Sequence, residues 1–224
     1  MKNIRKEIEE YITNNILVMY DEYDELGHGR GHIDNVIDRS FELVSIFKLD
    51  INYEMVFVIA AFHDIGYSID ADYHEEVSSQ IFLSDLMIKK FFTEDDIRVI
   101  AEAIVDHRAS LEYEPRSIYG KLVSSADREI SLENMLKRSI LFQKNKHKDE
   151  NPSVDQIIEY SYQKLFSKYG RVGYAKMYFP DKKYLDYLES IREILDDKNK
   201  FIELERQIYN KIFESNLVYK KIKN

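Results

Sequence analysis

Eight consecutive apolar residues, Met55 to Phe62 (MVFVIAAF), are followed at once by His63 and Asp64. A run with no polar face belongs to an element buried on all sides. A carboxylate at the end of such an element costs on the order of 3 kcal/mol or more unless a positive group meets it. Neither Lys nor Arg adjoins it in the chain, so a metal ion is the simplest counter-charge. Ile65-Gly66-Tyr67 then ends the element, with Gly66 expected to supply the backbone freedom for a sharp exit.

Elsewhere the apolar residues recur at helical spacing. Ile4, Ile8, Tyr11, Ile12, Ile16 and Met19 predict an amphipathic helix over residues 2–20, broken by the segment DEYDELGHGRG at 21–31. There Gly27, Gly29 and Gly31 surround His28 and Arg30, and His32 opens a second helix through Val36, Ile37, Phe41, Val44 and Phe47. A third begins at His74, with Val77, Ile81, Leu83 and Leu86 as its apolar residues and Ser78 one turn from His74. Thr93-Glu94-Asp95-Asp96 has the form of a capping box opening a helix with Ile97, Ile100, Ala101, Ile104 and Val105 inward. His107 and Arg108 follow on its buried side. A helix from Ile118 carries Leu122, Val123, Ala126 and Ile130 as a stripe, and Asp127 falls within it. Further helices are expected near 131–145, 154–168, 181–197 and 200–222, and no stretch alternates with period two, so the fold class is all-α.

A chain of 224 residues is long enough to bury a core and divides into residues 1–130 and a C-terminal helical extension, 131–224, expected to pack on the same domain. The net charge of -9 argues against binding a nucleic acid polymer. The absence of Cys removes thiolate metal sites and a cysteine nucleophile, leaving imidazole and carboxylate to hold any metal. The longest apolar run is well short of the roughly 20 residues that cross a bilayer, and the N-terminus MKNIRKEIEEY lacks a signal-peptide core. A cytoplasmic protein with no membrane partner is the expectation. The last helix is amphipathic enough to pack on its own chain or to form a homodimer.

His32, His63, Asp64, His74, His107 and Asp127 each stand at a helix end or on an apolar stripe. Together they offer more ligands than one ion ordinarily needs and suit one or two divalent ions of Mn, Fe, Co, Ni, Zn or Mg. Two ions about 3.5–4 Å apart sharing one carboxylate would use all six and form a hydrolytic centre.

The order His32, His63-Asp64, Asp127 on helices resembles the HD superfamily of metal-dependent phosphohydrolases, whose signature is H…HD…D. GHGRGHIDNV, AAFHDIGY, HEEVSSQ, AIVDH and SSADR are similar to that family at successive motifs, over about residues 27 to 130. His74 and His107 resemble the extra histidines of the two-metal subset, which includes dinucleoside tetraphosphate hydrolases, and in that subset the doublet carboxylate, here Asp64, is the bridge. Cyclic dinucleotide phosphodiesterases of the HD-GYP type carry a second His where this chain has Arg108, and a GYP tripeptide that it lacks. The resemblance implies hydrolysis of a phosphate ester or anhydride of a small molecule, a nucleotide foremost. A dinucleoside polyphosphate hydrolase and a non-catalytic metal-bearing nucleotide sensor are the alternatives. In such a site Asp64 or Glu75 takes a proton, and Arg30, Arg108, Lys121 and Arg128 are the cations to hold phosphoryl oxygens.

Other residues have plainer readings. Glu75 is an acidic first-turn residue favoured by the helix dipole as well as a candidate base. His28 reads as an exposed loop residue or a substrate contact, His147 as part of a solvated face, and Ser78 as packing. KYGRVGYAKMYFPDKK, residues 168–183, reads more as a loop anchored by aromatics than as a flap over substrate.

Overall fold

The computed structural model describes residues 4–21, 28–128 and 130–213. The described residues are 71% helical and contain no strand, as the helical periodicity requires. The chain forms two compact units: residues 1–128 with 176–181, and residues 129–175 with 182–224. The short segment 176–181, which in sequence falls within the C-terminal extension, thus belongs with the first unit.

In the first unit, α1 (Lys6–Tyr11) continues through a π turn (Ile12–Ile16) and a 3-10 turn (Leu17–Tyr20). The expected stripe is buried at Ile8, Ile12 and Ile16, but Met19 is exposed because the tightened last turn rotates it outward. Then come α2 (Arg30–Phe47), α3 (Tyr53–Phe62), α4 (His74–Ser84), α5 (Glu94–Val105) and α6 (Ile118–Ala126). Residues 22–27 of the glycine-rich segment lie outside the described residues.

Helix α3 is the centre. All eight residues from Met55 to Phe62 are buried, and α3 packs against α2, α4, α5 and α6. A helix apolar all round fits no other place. Its start is fixed by Asn52, whose side chain accepts from Glu54 N at 2.9 Å and Met55 N at 3.4 Å. The capping box at Thr93 forms as expected, with reciprocal bonds to Asp96.

Helix α4 is shorter than its apolar pattern predicts. It stops at Ser84, and a 3-10 turn at Ile88–Phe91 follows, so Leu83 and Leu86 are exposed rather than part of an inward stripe. Asp85 is the physical reason: its side chain accepts from Met87 N and Ile88 N and caps the next turn instead of continuing the helix.

Segment 176–181 is held to the first unit at three points. Ser125 Oγ accepts from Tyr178 N and Phe179 N at 3.2 and 3.3 Å, Phe179 packs on Phe47, and Asp181 pairs with the buried Arg39. These residues are an anchored loop.

The second unit consists of α7 (Leu132–Lys146), α8 (Val154–Tyr169), α9 (Lys182–Asp196) and α10 (Lys198–Phe213). The Ser153–Gln156 capping box opens α8. Residues beyond 213, over which the sequence pattern extends the last helix, lie outside the described residues. The apolar faces meet through Leu136, Ile140, Ile158, Leu165, Ile191 and Phe201, all buried. Residues 144–146 and 148–150 form the solvated face expected there, and His147 itself is half-buried at the end of α7, stacked on Tyr160 at 4.2 Å and bonded to Glu150.

Candidate metal centre

The end of α3 delivers His63 and Asp64, both buried, into a ring of side chains from four other places in the first unit. His32 comes from the first turn of α2, His74 from the first residue of α4, His107 from just past α5, and Asp127 from the C-terminal end of α6. Every one of the six sequence-derived ligands reaches the same place.

They form two groups that share one residue. His32, His63, Asp64 and Asp127 offer ligand atoms mutually within 4.8 Å, and so do Asp64, His74 and His107. Asp64 Oδ2 lies 3.4 Å from His32 Nε2 and 3.3 Å from His63 Nε2. Its other oxygen, Oδ1, lies 3.4 Å from both His74 Nε2 and His107 Nε2. Asp127 Oδ1 closes the first group, 3.2 Å from His32 Nε2. Donors about 2.0–2.2 Å from a common ion stand roughly 3 Å or slightly more from one another, so both groups have the spacing of a ligand set.

The tautomers agree. His63, His74 and His107 each place Nδ1 against the backbone carbonyl three residues earlier, Ala60 at 2.8 Å, Ala71 at 3.1 Å and Ile104 at 2.6 Å. A carbonyl only accepts, so each Nδ1 carries a proton, and in the neutral ring that metal binding requires each Nε2 is left to present its lone pair to the centre. His63 Nε2 is fully buried and makes no hydrogen bond. His74 Nε2 and His107 Nε2 face each other at 3.3 Å. Two lone pairs at that distance repel unless a cation lies between them. The residues therefore fit divalent metal, and the donor set of imidazole and carboxylate is that of a hard or borderline ion.

Electrostatics point the same way. Burial would raise the Asp64 carboxyl, but the His63 and His28 imidazoles and hydrogen bonds from His107 and His28 hold it well below the usual range. Burial likewise opposes ionisation of Asp127, and the hydrogen bond and charge of His32, with His63 behind, hold it low. Burial, the largest single influence, pulls the His63 imidazole down, but the Asp64 and Asp127 carboxylates and the bond to Ala60 O together push the group up to about 9. The cluster demands positive charge.

The ring is held by neighbours that sequence alone does not assign. Gly66 N donates to Ser78 Oγ at 2.9 Å, and a Cβ on Gly66 would meet His74 O and Ser78 N at 2.7 Å. Gly66 is thus required for the close approach of α4 rather than for a special backbone angle, and Ser78 is a fastener between the two histidine-bearing elements. His28 is not an exposed loop residue: it donates from Nδ1 to Asp64 Oδ2 at 2.7 Å and lies on Tyr67, ring centroids 3.8 Å apart. It stands before the start of α2, so no helical spacing in the sequence signals its inward turn. Asp106, fully buried beside His107, accepts from Arg116 N at 2.7 Å and from the Arg116 guanidinium, fixing the loop that follows.

The four candidate phosphate-holding cations each have a protein partner. Arg30 pairs with Asp34 at 2.9 Å and Lys121 with Glu114 at 2.5 Å. Arg108 pairs with Glu75 and donates to Asp72 O at 2.5 Å. Arg128 is buried, donates to Ser124 Oγ at 2.8 Å and lies 3.4 Å from Asp127 Oδ2, so it braces a ligand. Glu75 is buried with Oε2 3.4 Å from His74 Nδ1 and outside any hydrogen bond.

A helical domain whose central helix ends in a His-Asp doublet within such a ligand ring defines a class of metalloprotein. Residues 31–131 match the family model of the HD domain, and that segment is an HD domain. No curated protein matches the sequence. Among solved structures, the chain is similar to a predicted HD superfamily hydrolase from an uncultured Thermotogales bacterium, at 19% identity over 88% of this chain and 95% of that one, with a TM-score of 0.47. The HD domain with its ligand cluster supports a metal-dependent hydrolase as the general class. No helix among the described residues is long and apolar enough to cross a membrane.

Proposed function

We propose that the centre holds two divalent ions and hydrolyses a phosphate ester or anhydride of a small molecule, a nucleotide foremost. The observation that carries this reading is the division of Asp64: Oδ2 faces His32 and His63, and Oδ1 faces His74 and His107. Bound divalent ions supply Lewis acidity, which lowers the pKa of water and neutralises phosphoryl oxygens.

The chain's own residues supply the rest. Asp64 would hold both ions, one through each carboxylate oxygen. Glu75 Oε2 is the candidate proton acceptor, since it stands beside His74 without a hydrogen bond while Arg108 grips the carboxylate's other oxygen. Arg30, Arg108 and Lys121 are each a third exposed, and of these Arg108 is the one whose partner, Glu75, stands beside a ligand, His74, so it is the cation best placed to turn toward a phosphoryl oxygen. Lys121 and Arg30 act from further out, and Arg128 acts through Asp127. A phosphorylated small molecule is the partner, and the net charge of -9 makes such local cations necessary for drawing it in.

The test is phosphate release from nucleoside mono-, di- and triphosphates and dinucleoside polyphosphates by protein loaded with Mn, Fe or Co, beside Asp64→Ala. Turnover on one class that the variant abolishes supports the reading. Folded, metal-loaded protein that binds a nucleotide without turnover makes the centre a sensor instead.

A further inference from the structure

A cavity of about 120 Å³ opens beside Asp64, walled chiefly by Met19, Tyr20, His28, Tyr67 and Ile69. Its chemistry differs from that of the ligand ring. The Tyr20 hydroxyl donates to Ala61 O at 2.9 Å, so Tyr20 presents only its ring. Met19 and Ile69 are large apolar side chains left 47% and 69% exposed, so the wall of the cavity is apolar and open to a ligand. The hydrogen bond from His28 to Asp64 and its stack on Tyr67 join this apolar wall to the bridging carboxylate. An apolar cavity of about 150 Å³ holds one benzene. At about 120 Å³ this cavity is close to the size of a single small ring.

We propose that this cavity is a specificity site that receives one small planar ring of the substrate while its phosphate lies at the metal centre. The inference rests on the phosphohydrolase reading and narrows it. The substrate class is a phosphate ester or anhydride whose organic part carries a single six-membered ring, such as an aryl phosphate or a pyrimidine nucleotide, in preference to polyol phosphates.

The test uses the full-length, metal-loaded protein and four probes: phenyl phosphate, glycerol phosphate, inorganic phosphate and phenol. Binding is measured by calorimetry and, for phenol, by NMR saturation transfer. Phenyl phosphate is expected to bind roughly tenfold more tightly than glycerol phosphate, the gain from burying one ring, and phenol to compete with it. Met19→Asp and, independently, Ile69→Asp are expected to remove that preference while leaving inorganic phosphate affinity and metal content unchanged; Ile69 lies on an exposed turn, so its variant tests the site even if Met19→Asp disturbs folding. Equal affinity for the two esters, or variants that keep the preference, overturns the proposal. Phenol binding that Ile69→Asp abolishes, with no phosphate compound bound at all, keeps the ring site and discards the phosphohydrolase reading.

Discussion

The Nε2 atoms of His74 and His107 stand 3.3 Å apart, while the Nδ1 of each ring is committed to a backbone carbonyl. With both rings neutral, two lone pairs face each other there, an arrangement that a cation between them resolves. His74→Ala or His107→Ala is expected to lower the bound metal from two ions per chain to one, since His32, His63 and Asp127 still surround Asp64. Elemental analysis after gel filtration checks this. Retention of both ions in either variant would mean that the pair is not a ligand pair.

Gly66→Ala is expected to damage the same half of the centre from outside it. The added methyl would meet backbone atoms of His74 and Ser78 at 2.7 Å, and neither can move without shifting the start of α4. The expected cost is on the order of 2–3 kcal/mol, read as a lower urea midpoint, together with loss of the His74-side ion. A fully stable variant with both ions would show that α4 yields freely there.

Glu75 and Arg108 separate chemistry from stability. Glu75→Gln keeps the shape and the Arg108 contact but cannot accept a proton, so turnover should fall by about a hundredfold or more with metal content intact. Arg108→Ala leaves the buried Glu75 carboxylate without its partner, and lost stability of roughly 1–3 kcal/mol should accompany lost substrate affinity. Unchanged turnover in Glu75→Gln would return Glu75 to a structural role.

The second unit carries its own titration. Glu205 is fully buried and accepts from Ser161, which in turn lies 2.6 Å from Ser139; among the described residues no cation opposes it. Burial pushes its carboxyl up to about 8 from 4.5, against the smaller opposing pull of the Ser161 hydrogen bond. Between those two values the native state keeps a proton that the unfolded chain has released, so this group's contribution is whole below about 4.5 and is lost as pH rises toward 8. A tenfold difference in proton affinity between the folded and unfolded chains is worth roughly 1.4 kcal/mol. Glu205→Gln stays neutral at every pH, and its denaturation midpoint should exceed that of the parent at pH 8 and converge with it near pH 5. A difference independent of pH would contradict this.

How far the sequence discloses these features depends on the kind of interaction. The buried helix α3, the two capping boxes and the six ligands are legible because each leaves a local mark: an unbroken apolar run, a Thr or Ser three residues before an Asp or Gln, a polar residue on an apolar stripe. The end of α4 at Ser84 is not, because Asp85 diverts the chain through its own side chain against a helical apolar pattern. Long-range partnerships leave no mark at all. Nothing in the spacing of Arg39 and Asp181, or of Ser161 and Glu205, announces a buried pair, and the return of segment 176–181 to the first unit depends on the first of these. Nor does the spacing of His28 and Asp64 show that the loop histidine turns inward.

The most direct measurement is the metal content of the purified protein beside Asp64→Ala, each dialysed against chelator and then reloaded with Mn, Fe or Co. If Asp64 bridges two ions, the parent takes up two per chain and the variant, still helical by circular dichroism, retains none tightly. A parent that takes up no stoichiometric metal, or a variant that keeps both ions, would contradict a two-ion centre bridged by Asp64.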